Sequence, residues 1–241
     1  MHPPKSAGQS LQNALRAYCP LNKSVAIINA KATRQAAAIY NGIGEKEIRG
    51  EMPNSGPLFD FREHLLLYYC AHDFRLVAGH FLFSERAYHA YKDTYVFVSL
   101  VRDPVARLVS SYVAASSKKI TTLDFDEYLQ SDLALGHSSV LVRYFSGTSP
   151  ISQDDAPSYL EIAKANIDKF DIVGIVEEID TFTRALSEIL GVKISLTHDN
   201  KAVSKKPAIS DAALKRVKDL CSVDREIYTY AQEKFRRMVK K

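Results

Sequence analysis

Four short apolar runs, rich in β-branched residues, alternate with longer segments in which apolar residues recur every three or four positions. The runs predict β-strands at 24–30, 75–79, 94–101 and 171–176. The periodic segments predict helices over about 8–18, 58–70, 104–117, 124–132, 156–168, 180–190, 210–220 and 223–238. Strands that alternate with helices require crossover connections, so the pattern predicts an α/β fold with a central, mainly parallel sheet flanked by helices. Residues 1–241 contain no repeat and no low-complexity linker, and we expect a single domain.

The composition is that of an ordinary globular protein. Of 241 residues, 46% are apolar and 25% are charged, which excludes disordered, collagen-like and coiled-coil classes. The chain has no run of about 18 apolar residues, so we expect no membrane segment. Three cysteines, Cys19, Cys70 and Cys221, are odd in number and far apart. This spacing is typical of buried thiols in a reducing compartment and not of disulfides or a zinc site.

Positive charge is concentrated at the end of the chain. Residues 201–241 carry 12 Lys and Arg against 5 Asp and Glu, a net +7, which leaves 20 against 23, a net −3, upstream. Nucleic-acid binding is one interpretation of such a segment. Apolar residues recur through it at helical spacing, however, so the charges are better explained as the solvated faces of two amphipathic helices. We therefore expect no nucleic-acid partner.

The first candidate site precedes the first helical pattern and combines a Lys, small residues and a Gly. It consists of Pro4, Lys5, Ser6, Ala7, Gly8, Gln9 and Ser10. Such a segment is typical of a phosphate-binding loop, because backbone N–H groups and the helix dipole attract the anion while the Lys adds a positive charge. It is not a Walker A loop, in which Gly immediately precedes Lys. The alternative interpretation is an N-terminal turn with a Ser cap.

The second candidate site follows the strongest predicted strand. Asp103 is a favoured N-cap residue and Pro104 suits the first turn of a helix. Arg102 then stands at the end of the strand, where ligands bind in parallel sheets, and Ser110 lies about two helical turns further on. An Arg and a hydroxyl together make a pocket for a phosphate group. The alternative is a helix-capping junction with a surface Arg.

Taken together, these segments resemble the PAPS-dependent sulfotransferases, particularly their carbohydrate, Golgi-type branch. Residues 4–10 resemble the family's Pro-Lys-Thr-Ala-Gly-Thr-Ser loop, and residues 102–112 resemble its Arg-Asp-Pro element. Residues 170–178 are similar to a later strand of the family, and Asp224 with Tyr228 to its C-terminal helix. The likeness runs in order from about residue 2 to residue 235. Gln9 departs from the family, which usually has Thr there, and Pro3 stands where the family has an aliphatic residue. Only Met1 and His2 remain of the strand that precedes the loop in the family.

The resemblance implies a single P-loop-like domain that uses PAPS as co-substrate and needs no metal. Residues 5–10 would hold the 5′-phosphosulfate, while Arg102 and Ser110 would hold the 3′-phosphate. The reaction would move a sulfuryl group to a hydroxyl of a saccharide or small natural product, with Lys5 stabilising the leaving phosphate oxygen.

The resemblance also implies a general base. Some branches of the family use a Glu eight residues after the Lys, where this chain has Asn13. The uronyl 2-O-sulfotransferase type uses a His in a Gly-His segment at a strand end, which Gly79 and His80 match. The near-neutral pKa of a His suits proton transfer. The alternative is a structural His packed against the flanking phenylalanines.

The acceptor site is less well defined by the sequence. His137 is a candidate contact for the acceptor. Arg143 is either another ligand of the donor phosphate or a residue of a helix surface. Lys118 and Lys119 would guide an anionic sugar or form a solvated helix end. Two other functions remain open: a P-loop small-molecule kinase that uses ATP and Mg²⁺, and a nucleotide-binding module without catalysis. The start of the chain has no apolar signal region, which favours a cytoplasmic enzyme over a trimmed lumenal domain of the Golgi type.

Overall fold

The computed structural model describes residues 1–19, 25–45, 47–48, 55–196 and 207–240, and there the chain is a mixed α/β protein. The strands are short: β1 (Val25–Ile27), β2 (Leu76–Ala78), β3 (Val98–Val101) and β4 (Ile172–Ile175). The predicted α/β class is therefore confirmed.

Helices make up most of the described chain. In order they are α1 (Gly8–Arg16), α2 (Ala30–Asn41), α3 (Gly56–Ala71), α4 (Glu85–Tyr91), α5 (Pro104–Ser117), α6 (Phe125–Tyr128), α7 (Asp132–Ser138), α8 (Val140–Ser146), α9 (Leu160–Asp168), α10 (Ile179–Leu190), α11 (Asp211–Leu220) and α12 (Ser222–Val239). Short 3₁₀ turns at Ala156–Tyr159 and Val176–Glu178 precede α9 and α10.

Within the described residues the strands form two parallel, two-stranded sheets, so the predicted single central sheet is not confirmed. β1 pairs with β2, with Ala26 opposite Val77, and β3 pairs with β4, with Leu100 opposite Gly174. Backbone of the first two residues connects the two pairs. The main-chain nitrogen of Met1 donates to the Val98 carbonyl oxygen at 3.2 Å, and that of His2 donates to the Gly79 carbonyl oxygen at 3.3 Å.

The main hydrophobic core surrounds β3 and β4. All four residues of β4 are buried, and α8, α9, α10 and α12 contribute apolar side chains to the same core. Gly174 is required here, because a Cβ atom at this position would lie 2.0 Å from the Phe182 ring of α10. The strand is therefore covered on its faces, as its continuous apolar sequence predicts.

Four helices were not predicted from the sequence: α2, α4, α7 and α8. All seven residues of α8 are buried, so this helix has no polar face to produce a helical period. The predicted helix 124–132 ends early at Tyr128, and the Ser131 hydroxyl caps a new helix by accepting from the Ala134 amide. The predicted strand 94–101 begins only at Val98, since the amides of Thr94 and Tyr95 bond to the Tyr91 carbonyl at the end of α4.

The two C-terminal helices are amphipathic, as predicted. α11 buries Ala213, Val217 and Leu220, and α12 buries a stripe that includes Ile227 and Phe235. The part of the predicted basic segment before residue 207 lies outside the described residues. No helix among the described residues is long and apolar enough to cross a membrane.

The three cysteines are free thiols, but only two are buried. Burial raises the pKa of Cys70 to about 11 and that of Cys221 to about 12. Cys19 is partly exposed, so the prediction of a buried thiol is wrong at that position.

Candidate functional site

The loop between His2 and α1 has an unusual backbone. Lys5 and Ala7 both have positive φ angles, 65° and 53°, in the left-handed region that side chains with a Cβ atom rarely occupy. Two such residues in one short loop cost free energy, and strain of this kind concentrates at ligand sites. Left-handed residues are also typical of concave loops whose backbone amides bind anions.

The N-terminus of α1 begins inside this loop. Ala7 occupies the N-cap position, and no side chain there accepts a hydrogen bond from the first-turn amides. Ser6 is completely buried, and its hydroxyl has no hydrogen-bond partner within the part of the chain that the structure describes. A nine-residue helix thus presents its positive end, together with an unsatisfied buried hydroxyl, at the position where the sequence predicts phosphate binding.

Gly8 is required by the close approach of His2. A Cβ atom at Gly8 would lie 1.9 Å from the imidazole ring of His2, so only glycine leaves room for the ring. Burial, and then the neighbouring His80, lowers the pKa of His2 well below its usual range. A neutral imidazole therefore packs directly against the start of α1.

Three cationic side chains converge on the loop. Arg102, just after β3, donates from Nη1 to the Lys5 carbonyl oxygen at 3.5 Å. Burial, followed by repulsion from Lys118 and then Arg102, lowers the pKa of Lys5 from its ordinary value. Lys118 lies at the C-terminal end of α5, and its charge therefore acts on Lys5 and not on a separate acceptor region alone. Positive charges that repel one another are stabilised when an anion binds among them, so this cluster is suited to bind an anion.

The start of α5 is fixed in the way the sequence predicts. The Asp103 side chain accepts from the Ala106 amide at 2.8 Å, and Pro104 occupies the first turn. The Asp103 amide in turn donates to Glu177 Oε1 at 3.1 Å, and the hydroxyl of Tyr228 donates to Glu177 Oε2 at 2.9 Å. The three later segments of the resemblance therefore meet at the start of α5, through Asp103, Glu177 and Tyr228.

His80 follows β2 and faces the same region. Its Nδ1 lies 3.0 Å from the His2 carbonyl oxygen, and its ring meets the His2 ring edge-to-face at 4.5 Å. Since a carbonyl oxygen only accepts hydrogen bonds, Nδ1 of His80 is the donor in this contact. Arg62 fixes the backbone at this point by donating to the His80 carbonyl oxygen at 2.8 Å.

His137 and Arg143 belong to a separate buried network. Arg143 is only 3% exposed and donates to the carbonyl oxygens of Ser139 and Gly136, so the alternative of a helix-surface residue is wrong. Nδ1 of His137 lies 2.7 Å from the Tyr128 hydroxyl. These contacts hold the α7–α8 junction together.

Arg107 and Asp224 form the centre of that network. Both side chains are fully buried, and Arg107 Nη2 lies 3.4 Å from Asp224 Oδ2 and 2.5 Å from the His137 carbonyl oxygen. Asp224 also accepts from the amides of Leu141 and Val142, and so caps α8. Burial raises the pKa of Asp224, and the charge of Arg107 opposes that effect. This ion pair connects α5, which begins just after Asp103, to α12.

Two other predicted donor ligands have less distinctive surroundings. Ser110 is half-buried on α5. Gln9 is exposed, and its side-chain amide donates to Oδ1 of the Asn13 side chain at 3.1 Å on the outer face of α1. The Gln9 side chain is therefore occupied on the helix surface, in agreement with its departure from the family pattern.

A cavity of about 650 Å³ lies elsewhere, between α3, α4, α8 and α9. Its basic groups are already paired, Arg86 with Glu63 and Lys169 with Glu85. The Lys5 loop differs from this space, because Arg102 contacts its backbone and no side chain at its N-cap position accepts from the first-turn amides of α1. In the described part of the chain, no three His, Cys, Asp or Glu side chains are grouped so as to hold a metal ion.

In comparisons with known proteins, no protein-family model and no curated protein sequence matches this chain. Evidence for function therefore comes from the Lys5 and Arg102 segments and from the contacts between them.

Sequence reasoning gave no role to several residues that the structure places at the site. His2 carried no motif signal, because its burial beside Gly8 and His80 depends on tertiary contacts. Glu177, Asp224 and Tyr228 were noted only as part of the resemblance. An acidic residue at the end of a buried strand is a signal that would have identified Glu177.

Proposed function

We propose that this chain is a PAPS-dependent O-sulfotransferase that transfers a sulfuryl group to a hydroxyl of a saccharide or small natural product. The observation that carries the proposal is the convergence of Lys5, Arg102 and Lys118 on a strained loop at an uncapped helix N-terminus. Arg102 of the second candidate site contacts the backbone of Lys5 in the first, although the two residues are 97 positions apart in the sequence.

The donor would bind with its two phosphate ends held by different parts of the site. The amides of the loop from Lys5 to Ser10 suit the 5′-phosphosulfate, because they lie at the positive end of α1. Arg102 and Ser110 suit the 3′-phosphate, and a guanidinium group is well shaped for a phosphate dianion. Ser6 supplies a buried hydroxyl that has no protein partner.

The transfer would proceed by in-line attack of the acceptor oxygen on sulfur. The new bond forms between the acceptor oxygen and sulfur, and the bond between sulfur and the bridging phosphate oxygen breaks. Lys5 stabilises the negative charge that develops on that leaving oxygen, and 3′,5′-ADP departs. The acceptor proton passes to Nε2 of His80, whose Nδ1 is held by the His2 carbonyl oxygen.

We further propose that the two sheets belong to one P-loop-like domain with a central, mainly parallel sheet. The backbone bonds of Met1 to Val98 and of His2 to Gly79 support this, since they place the chain before the loop between β2 and β3. The loop, Arg102 and His80 then all lie beyond the C-terminal ends of parallel segments, where ligands bind in α/β folds.

The proposal is tested by incubating the chain with PAPS and a panel of saccharides and hydroxylated small molecules, followed by mass spectrometry. We expect one acceptor class to gain a single sulfuryl group while 3′,5′-ADP forms in equal amount. The same panel with ATP and Mg²⁺ tests the kinase alternative. Phosphorylated products without sulfated ones would refute the proposal, and nucleotide binding with neither product would identify a binding module.

A further inference from the structure

The Glu177 side chain joins the start of α5 to α12 at the contact of Asp103, Glu177 and Tyr228, which we call the donor junction. Its Oε1 accepts from the Asp103 amide at 3.1 Å, and its Oε2 accepts from the Tyr228 hydroxyl at 2.9 Å. Glu177 follows β4, whereas Asp103 follows β3 and Tyr228 lies on α12. One carboxylate therefore connects the ends of two paired strands to the C-terminal helix.

The bond to Asp103 acts on Arg102. The Asp103 amide belongs to the peptide unit that follows the Arg102 Cα atom, and this unit is planar. A hydrogen bond that fixes the plane also fixes the ψ angle of Arg102, and hence the direction in which its side chain leaves the backbone. Asp103 itself is held from the other side, since its carboxylate caps α5 at the Ala106 amide.

Tyr228 fixes the carboxylate in turn. Burial, followed by the charge of Glu177 and the hydrogen bond to it, raises the pKa of Tyr228, so the phenol remains a proton donor. The adjacent Glu178 has different partners: it pairs with Arg236 at 2.6 Å and accepts from the Gln232 amide. The two neighbouring glutamates thus face different surroundings, and only Glu177 bonds to the donor junction.

We propose that Glu177 is a positioning residue that orients Arg102 toward the 3′-phosphate by holding the Asp103 amide and the Tyr228 hydroxyl at the same time. This inference rests on the proposed function, because it requires that Arg102 binds a 3′-phosphate. It predicts an effect on recognition of that phosphate alone and not on the rest of the nucleotide.

The experiment compares the affinities of 3′,5′-ADP and 5′-AMP, which lacks the 3′-phosphate, by calorimetry without added metal. We expect Glu177→Ala to lower the ratio of the two affinities about tenfold, because a charged hydrogen bond loses much of its strength when misaligned. Glu177→Gln should keep the ratio near the wild-type value, since the amide can accept from Asp103 and donate to the tyrosine oxygen. Glu178→Ala is the matched control and should leave the ratio unchanged.

A double variant separates positioning from a general loss of stability. In an Arg102→Ala background, Glu177→Ala should have no further effect on the ratio, because the side chain that it orients is absent. A wild-type ratio in Glu177→Ala would overturn the inference while the donor site stands. Equal loss of both nucleotides would also overturn it, by indicating a structural role. A wild-type chain that does not prefer 3′,5′-ADP to 5′-AMP would refute the donor site and the inference with it.

Discussion

The side chain of His80 is hydrogen-bonded to the backbone of His2: Nδ1 of His80 lies 3.0 Å from the carbonyl oxygen of His2. The His2 ring in turn packs against Gly8 at the start of α1. The side chain that we propose as general base is therefore fixed relative to the loop that we propose for the sulfuryl donor. Base and donor would keep their alignment without a separate closing movement.

The buried His2 ring should make folding stability depend on acidic pH. Its pKa is lowered in the folded chain, so below pH 6.5, the ordinary value, the unfolded chain binds more protons and stability falls as the pH falls. The slope from one group is at most about 1.4 kcal/mol per pH unit. Denaturant unfolding between pH 7 and pH 5 should show a steeper decline for the wild type than for His2→Phe, which keeps a ring over Gly8. Parallel curves would contradict the role of His2.

Removing the proposed base should slow the reaction without weakening donor binding. His80→Ala is expected to lower kcat by about 10²- to 10⁴-fold, the usual contribution of general base catalysis, while the affinity for 3′,5′-ADP stays near the wild-type value. His89→Ala is the control, because His89 is exposed and its described contacts are with Glu85 and the Tyr88 ring on its own helix. An active His80→Ala variant would exclude His80 as the base.

The two cations of the donor site should have different kinetic effects. Lys5→Ala is expected to lower kcat by about 10²- to 10³-fold, because it removes charge stabilisation of the leaving oxygen. Arg102→Ala should mainly weaken 3′,5′-ADP, by about 10- to 100-fold, as expected for a charged hydrogen bond. Steady-state kinetics and calorimetry measure both effects. Lys215→Ala and Arg216→Ala, on the exposed face of α11, should behave as wild type.

Asp224 should contribute strongly to stability, because it compensates a buried positive charge. Asp224→Ala leaves Arg107 buried without its carboxylate and removes the cap of α8, so the free energy of unfolding should fall by about 3–5 kcal/mol. Asp219→Ala, on the exposed side of α11, should change it by less than about 0.5 kcal/mol. Chemical denaturation checks the difference. If the two variants are equally stable, the ion pair has no structural importance.

Local signals were sufficient where a helix has both a cap and a polar face. The bounds predicted for α5, 104–117, agree with the structure, since Asp103 and Pro104 mark its start and the buried residues Leu108, Ser111 and Ala115 recur at helical spacing among partly exposed ones. Helix α8 gave no such signal because it is buried on every side. The sequence also predicts one sheet, because apolar runs indicate strands without indicating which strands pair.

The candidate site was predictable in part for a similar reason. The Lys5 loop and Arg102 were identified because each lies at a strand or helix end with a recognisable pattern. Their contact across 97 residues, and the additional approach of Lys118, required the folded chain. His2 is placed by tertiary contacts that no local pattern marks. Glu177 has one local signal, its position just after buried β4, but its bonds to Asp103 and Tyr228 required the folded chain.

The most direct test of the account is calorimetric titration of the wild-type chain with 3′,5′-ADP in metal-free buffer, with ATP–Mg²⁺ titrated separately. We expect saturable one-to-one binding of 3′,5′-ADP, weakened in Arg102→Ala and unchanged in Lys215→Ala. Binding of ATP–Mg²⁺ with no measurable binding of 3′,5′-ADP would contradict it.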